Sequence, residues 1–145
     1  MATKLDYADV EVGTKLPGRR VTVSRLAVLL FGGHTMRLDF AATHWSERAA
    51  RDAGLPDIIM HGPFTLGKTL EIVNDWTGDP GAILEHRIQL MKPIPVPDDD
   101  VGAVMHLNGI VEDKLDSNRV VIGLVTTSPD DEVLAKARVV VRLAA

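Results

Sequence analysis

The sequence predicts an α+β domain in which one long helix packs on a face of an antiparallel sheet. Three observations carry that expectation. Residues 62–76 place apolar side chains at helical spacing and run into Gly78-Asp79-Pro80-Gly81. Residues 82–141 then alternate apolar and polar positions between turn signals. The chain has 145 residues, which suits a single domain over 1–145 that buries a core without disulfide or metal staples.

Residues 20–24 are rich in β-branched side chains and read as a first strand. Ser24 is placed to cap a helical turn reaching Phe31, which Gly32-Gly33 would end. Residues 32–43 show no clear period and read as a loop. Ser46 is a good N-cap for a short helix, with Glu47 at its positive end and Gly54 just beyond it.

The long helix is expected from about Gly62 to about Trp76. Pro63 suits its first turn, where a missing N–H has no helical partner to lose. Leu66, Leu70, Val73 and Trp76 predict one buried stripe. Gly67 inside it costs helix propensity, and a sheet packed closely over that face would account for it.

A strand over 82–92 follows, broken by Pro93, Pro95 and Pro97, with the acidic run 98–100 continuing as a solvated turn. Residues 101–111 form the next strand, with Ala103, Met105 and Leu107 on one face. Asp116-Ser117-Asn118 is a turn signal, 120–127 a further strand, and Pro129-Asp130-Asp131 a second turn. In the last segment Val133, Ala135, Ala137, Val139 and Val141 share a face opposite Lys136, Arg138 and Arg142.

Composition narrows the function. Apolar residues make up 46% and charged residues 25%, ordinary for a globular chain. The net charge of −4 argues against nonspecific binding to nucleic acid or anionic membrane. With 0 cysteines there is no disulfide framework, zinc-thiolate site or thiol nucleophile, and a reducing cytoplasm is the expected location. The N-terminal stretch lacks a signal-peptide core, and the longest apolar run, 26–31, is far short of the roughly 20 residues that span a bilayer. Gly32-Gly33 opens no phosphate-binding loop. His34, His86 and His106 show no zinc-ligand spacing, and no metal is expected.

One constellation points to chemistry. Asp39 and His44 stand five residues apart in LDFAATHW, and His61-Gly62 opens the long helix. PIPVPDD follows the first strand of the meander. With this order of elements, the chain resembles the MaoC-like (R)-specific enoyl hydratases and (3R)-hydroxyacyl-thioester dehydratases. Their motif is D-x-N-P-[IL]-H, followed by H-G and then P-V-x-P-x-D. The likeness covers nearly the whole chain and is nearest to the small dehydratase subunits of actinobacterial fatty-acid and mycolic-acid elongation. Here the family's Asn-Pro is Ala41-Ala42, Leu38 replaces a small residue, and Gln89 stands where many relatives carry arginine.

The resemblance implies a hot dog fold, a curled antiparallel sheet wrapped around a central helix. It implies reversible addition of water to the Cα=Cβ bond of an enoyl thioester, carried by coenzyme A or acyl carrier protein. Asp39 and His44 would grip the water, and histidine can take up and return a proton near neutral pH. The backbone N–H of Gly62, at a helix tip with partial positive charge, would hold the thioester oxygen as it becomes negative. His61, Pro63 and Phe64 are candidate pocket residues, with helix-entry packing the expected role of His61. No cofactor is implied, and subunits would pair as a homodimer or with another hot dog subunit. Two alternatives stand beside this reading. One is a non-catalytic or half-site subunit of a heterodimeric dehydratase. The other is a hot dog thioesterase using Glu71 on the central helix. His34, His86 and His106 are expected at the surface or sheet edge, and Trp45 and Trp76 in the core or at a dimer contact.

Overall fold

The computed structural model describes residues 5–35 and 42–145. Strand β1 spans Arg19–Val23, and β2 to β5 span Ile83–Leu90, Ala103–Leu115, Arg119–Thr127 and Val133–Arg142. They form one antiparallel sheet in the order β1-β3-β4-β5-β2. Alternation sets which face is buried. In β3, Ala103, Met105 and Leu107 point into the core, and in β5 Ala135, Ala137, Val139 and Val141 do the same while Lys136, Arg138 and Arg142 face solvent. Each fully buried aliphatic side chain of this kind stabilises the fold by roughly 1.5–3 kcal/mol. Ser117 and Asn118 adopt positive φ in the β3–β4 connection, and Asp131 does so in the β4–β5 connection.

Helix α1 spans Arg25–Thr35, α2 Glu47–Asp52 and α3 Gly62–Thr77. Ser24 caps α1, its Oγ accepting from the Ala27 N–H at 3.2 Å. The helix does not end at Gly32-Gly33 as expected but continues through both. Gly32 serves packing instead, since a Cβ there would stand 2.9 Å from Nε2 of His61. Ser46 caps α2 by accepting from Ala49 N–H, and Gly54 follows it at φ 77°.

The central helix α3 lies against the sheet, but its buried stripe differs from the expected one. Thr65, Thr69, Ile72, Val73 and Thr77 are buried, whereas Leu66, Leu70 and Trp76 are only half-buried. The reason is local. Thr65 Oγ1 donates to the His61 carbonyl at 3.1 Å and Thr69 Oγ1 to the Thr65 carbonyl at 2.8 Å. Small side chains whose hydroxyls are satisfied by their own helix let α3 approach the sheet. Larger neighbours flank the contact, and Leu70 and Trp76 pack against its margin. Gly67 is exposed with no atom within 4 Å of a Cβ position, so close packing does not account for it and nothing in the structure explains it.

The three prolines after β2 organise an extra short pairing rather than simply breaking the strand. Met60 N–H donates to the Ile94 carbonyl at 2.9 Å and Val96 N–H to the Ile58 carbonyl at 2.8 Å. Pro93, Pro95 and Pro97 alternate with these bonded residues, so their missing donors are not needed. Ile94, Val96, Ile58 and Met60 are all buried. The segment just before α3 is therefore held in place from a distant part of the chain. Among the described residues no helix is long and apolar enough to cross a membrane.

Candidate active site

His44 lies in a 3-10 turn over Ala42–His44. The Ala42 carbonyl closes that turn, accepting from Trp45 N–H at 3.2 Å and Ser46 N–H at 2.8 Å. The turn is then tied to the segment before α3, with Ile59 N–H donating to the Thr43 carbonyl at 3.1 Å. The return bond comes from the imidazole itself. His44 Nδ1 stands 2.7 Å from the Ile59 carbonyl oxygen. A carbonyl only accepts, so Nδ1 carries a proton, and in the neutral form of the ring the lone pair is then on Nε2. In that form the imidazole presents Nε2 as a base.

A cavity of about 390 Å³ lies beside it. Its described lining combines His44, Gly62 and Thr65 with the apolar side chains of Ile59, Met60, Leu90, Met91 and Ile94, and with Lys92 and Pro93. Gly62 is the first residue of α3, and its N–H lies before any intrahelical partner. The N-cap His61 supplies no side-chain cap. A helix tip bearing about half a positive charge therefore borders the same cavity as the His44 imidazole. Leu90 overlies that tip, with Cδ1 only 2.8 Å from where a Cβ on residue 62 would sit.

His61 sits behind His44 rather than on the cavity surface. Their rings stack with centroids 4.0 Å apart and planes inclined by 29°. His61 is 2% exposed, and its Nδ1 is buried without a hydrogen-bond partner. Burial, assisted by the neighbouring His44, pushes its pKa down to about 4. Phe31 of α1 lies across the His61 ring at 5.2 Å and stacks on Phe64 at 4.9 Å.

A salt-bridge cluster braces this corner. Arg25 at the start of α1 pairs with Glu47 of α2 and with Asp57, and donates to the Val96 carbonyl at 3.2 Å. It thus ties α1, α2, the segment before α3 and the proline-rich segment into one frame around the His44 turn.

The sequence profile of the MaoC like domain matches residues 9–129. The chain belongs to the MaoC-like dehydratase family. The hot dog fold expected from the sequence is the fold observed, with the sheet on one side of α3. A solved MaoC-like dehydratase is similar to this chain over 97% of its length at 26% identity and a TM-score of 0.87. This chain spans only 43% of that one. An (R)-hydratase from Pseudomonas aeruginosa shares the fold at 18% identity and a TM-score of 0.81, with 97% of this chain and 86% of that one covered. The HadBC (3R-hydroxyacyl-ACP dehydratase) complex from Mycobacterium tuberculosis is similar at 17% identity and a TM-score of 0.71, covering 94% of this chain and 98% of that one. No curated protein sequence matches this chain.

The site residues expected from the sequence are placed unevenly. His44 and Gly62 are brought to one cavity. Asp39 lies outside the described residues, as do Leu38 and Ala41. Pro63 and Phe64, expected at the pocket, are not among its described lining. Pro63 is exposed on the first turn of α3, and Phe64 is engaged by Phe31. Glu71, the thioesterase candidate, is also absent from that lining and pairs with Lys68 at 2.7 Å. His34 and His86 are exposed, as expected for surface groups, and His106 is partly exposed. Trp45 is 47% exposed and Trp76 half-buried. Sequence reasoning missed the wall formed by residues 90–94 and the Ile59 carbonyl. The alternation of Ile94 and Val96 with prolines was the one available signal for the first, and a backbone acceptor leaves none.

Proposed function

We propose that this protein is a hydratase or dehydratase that adds water to, or removes it from, trans-2-enoyl and (3R)-3-hydroxyacyl thioesters. The observation that carries the reading is the pairing of a histidine in a fixed tautomer with an uncapped helix tip on one largely apolar cavity. In the hydration direction Nε2 of His44 takes a proton from water, and the oxygen bonds to Cβ. Electron density moves through the Cα=Cβ bond onto the thioester oxygen, which the Gly62 N–H stabilises. The proton held on Nε2 is then returned to Cα, which regenerates the base, and the elements of water have been added with no redox change. Asp39 is assigned the second grip on the water, as the family motif implies. Ile59, Met60, Leu90, Met91 and Ile94 suit an acyl chain.

Two further expectations belong to this reading. The thioester would be carried by coenzyme A or acyl carrier protein. Subunits would pair as a homodimer or with a second hot dog subunit. β2 supports such pairing, because it lies at one end of the strand order with most of its residues exposed. The thioesterase reading has less support, since Glu71 lies on α3 away from the cavity that His44 lines.

The test follows the enoyl absorbance of crotonyl-CoA and of a longer enoyl-CoA, with wild type beside His44→Ala. The expected loss in the variant is ~10²–10⁴-fold. Equal rates for the two proteins on every chain length would reject the proposal. Turnover appearing only after addition of a co-encoded hot dog partner would favour the half-site alternative.

A further inference from the structure

We propose that His61 is a positioning residue that fixes the ring plane of His44 and so keeps Nε2 aimed at one place in the cavity. This deepens the hydratase reading and rests on it.

The argument is geometric. The bond from His44 Nδ1 to the Ile59 carbonyl anchors one corner of the imidazole. A ring held at one corner can still swing about that contact. The face-to-face stack of His61 at 4.0 Å removes the swing, because rotation would drive the His44 ring into its neighbour. One contact sets the tautomer and one edge, the other sets the plane, and together they fix the direction of Nε2.

His61 can serve as such a wall because its backbone is fixed and its ring is packed on both faces. Its backbone is the N-cap of α3, and its carbonyl accepts from both Thr65 N–H at 3.0 Å and Thr65 Oγ1 at 3.1 Å. On the far side the ring meets Phe31 and the backbone of α1 at Gly32. The glycine is what leaves room for the ring, since any side chain there would begin 2.9 Å from Nε2. Packing alone does not account for an imidazole at this position. Nδ1 is buried without a partner, a burden that an aliphatic side chain would not carry. A flat five-membered ring fits between the α1 backbone and the His44 face in a way that a branched aliphatic does not.

The chain of dependence runs from Gly32 to His61 to His44. It joins α1, the start of α3 and the catalytic turn, three elements that the sequence presents as separate.

The experiment compares His61→Leu and His61→Asn with wild type in the full chain. It measures kcat and KM for crotonyl-CoA and records ¹H–¹⁵N correlations of the His44 ring at about pH 8, above the usual histidine range. Wild type should show one His44 tautomer with the proton on Nδ1. In His61→Leu, kcat should fall about tenfold to a hundredfold with KM changed less than about twofold, and the His44 ring signals should shift or broaden as the ring samples several orientations while the proton stays on Nδ1. The planar amide of His61→Asn should recover part of kcat. A fall in kcat with the His44 signals unchanged would overturn the proposal, as would a His61→Leu protein with kcat within about twofold of wild type. Should wild type fail to turn over any enoyl thioester, the hydratase reading falls, and the ring spectra still decide whether His61 orders His44.

Discussion

Gly32 on α1 and His61 at the foot of α3 form a contact with no room for an added atom unless the imidazole shifts, with 2.9 Å between the missing Cβ position and Nε2 of His61. Gly33, one residue on, has nothing within 4 Å of its Cβ position. The two glycines therefore respond in opposite ways to the same substitution. Gly33→Ala should stabilise the protein by about 0.5–1 kcal/mol through helix propensity. Gly32→Ala gains the same propensity but forces the imidazole to shift, so a net loss of about 1–2 kcal/mol is expected. Urea midpoints of the two variants check this, and equal shifts would contradict it.

Gly62 offers a complementary test at the helix tip. A Cβ there meets the Cδ1 end of Leu90, a side chain that is 49% exposed and free to yield. Gly62→Ala should therefore change the melting temperature little while lowering kcat/KM for an enoyl-CoA about tenfold or more, because the added methyl obstructs the N–H and narrows the cavity mouth. Adding Leu90→Ala should restore part of the loss. An undiminished kcat/KM in Gly62→Ala would remove the helix tip from the mechanism.

The buried imidazole of His61 makes stability depend on pH. Its folded pKa is about 4 against 6.5 in an unfolded chain. Between those values the unfolded state binds a proton that the folded state refuses. Stability is therefore full above about pH 6.5, falls as pH drops through the window, and levels off below about 4. The loss approaches roughly 3 kcal/mol for a shift of this size. Denaturation curves from about pH 7 to 4 should show it, and His61→Asn should flatten the slope across that window.

Arg25 gives a prediction about the frame. Its guanidinium holds Glu47, Asp57 and the Val96 carbonyl at once, and its side chain is 16% exposed. Arg25→Leu leaves those acceptors without their donor, with an expected cost of about 2 kcal/mol. Because the same group braces the His44 turn, kcat should fall together with stability. Chemical denaturation and the enoyl assay together check the link, and loss of stability with full kcat would separate the frame from the site.

The sequence by itself determined most of the elements and the buried faces of β3 and β5. Helical spacing and Pro63 marked α3 to within one residue at its end, Ser24 and Ser46 marked their caps, and alternation assigned the buried face of β5. These signals are local, since each depends on the repeat of a helix or strand or on a side chain reaching its own backbone. The same local logic failed where a distant group intervened. Gly32-Gly33 read as a helix stop, although Gly32 is a space left for an imidazole 29 residues further on. The apolar spacing of Leu66, Leu70 and Trp76 read as the buried stripe, although threonines with internally satisfied hydroxyls came closest to the sheet. Only the tertiary structure decided the tautomer of His44, its stack on His61, and the cavity wall supplied by residues 90–94. Those features arise from a backbone carbonyl, a ring-to-ring distance and a cross-chain pairing, which are properties of spatial neighbours and leave no period in the order of residues.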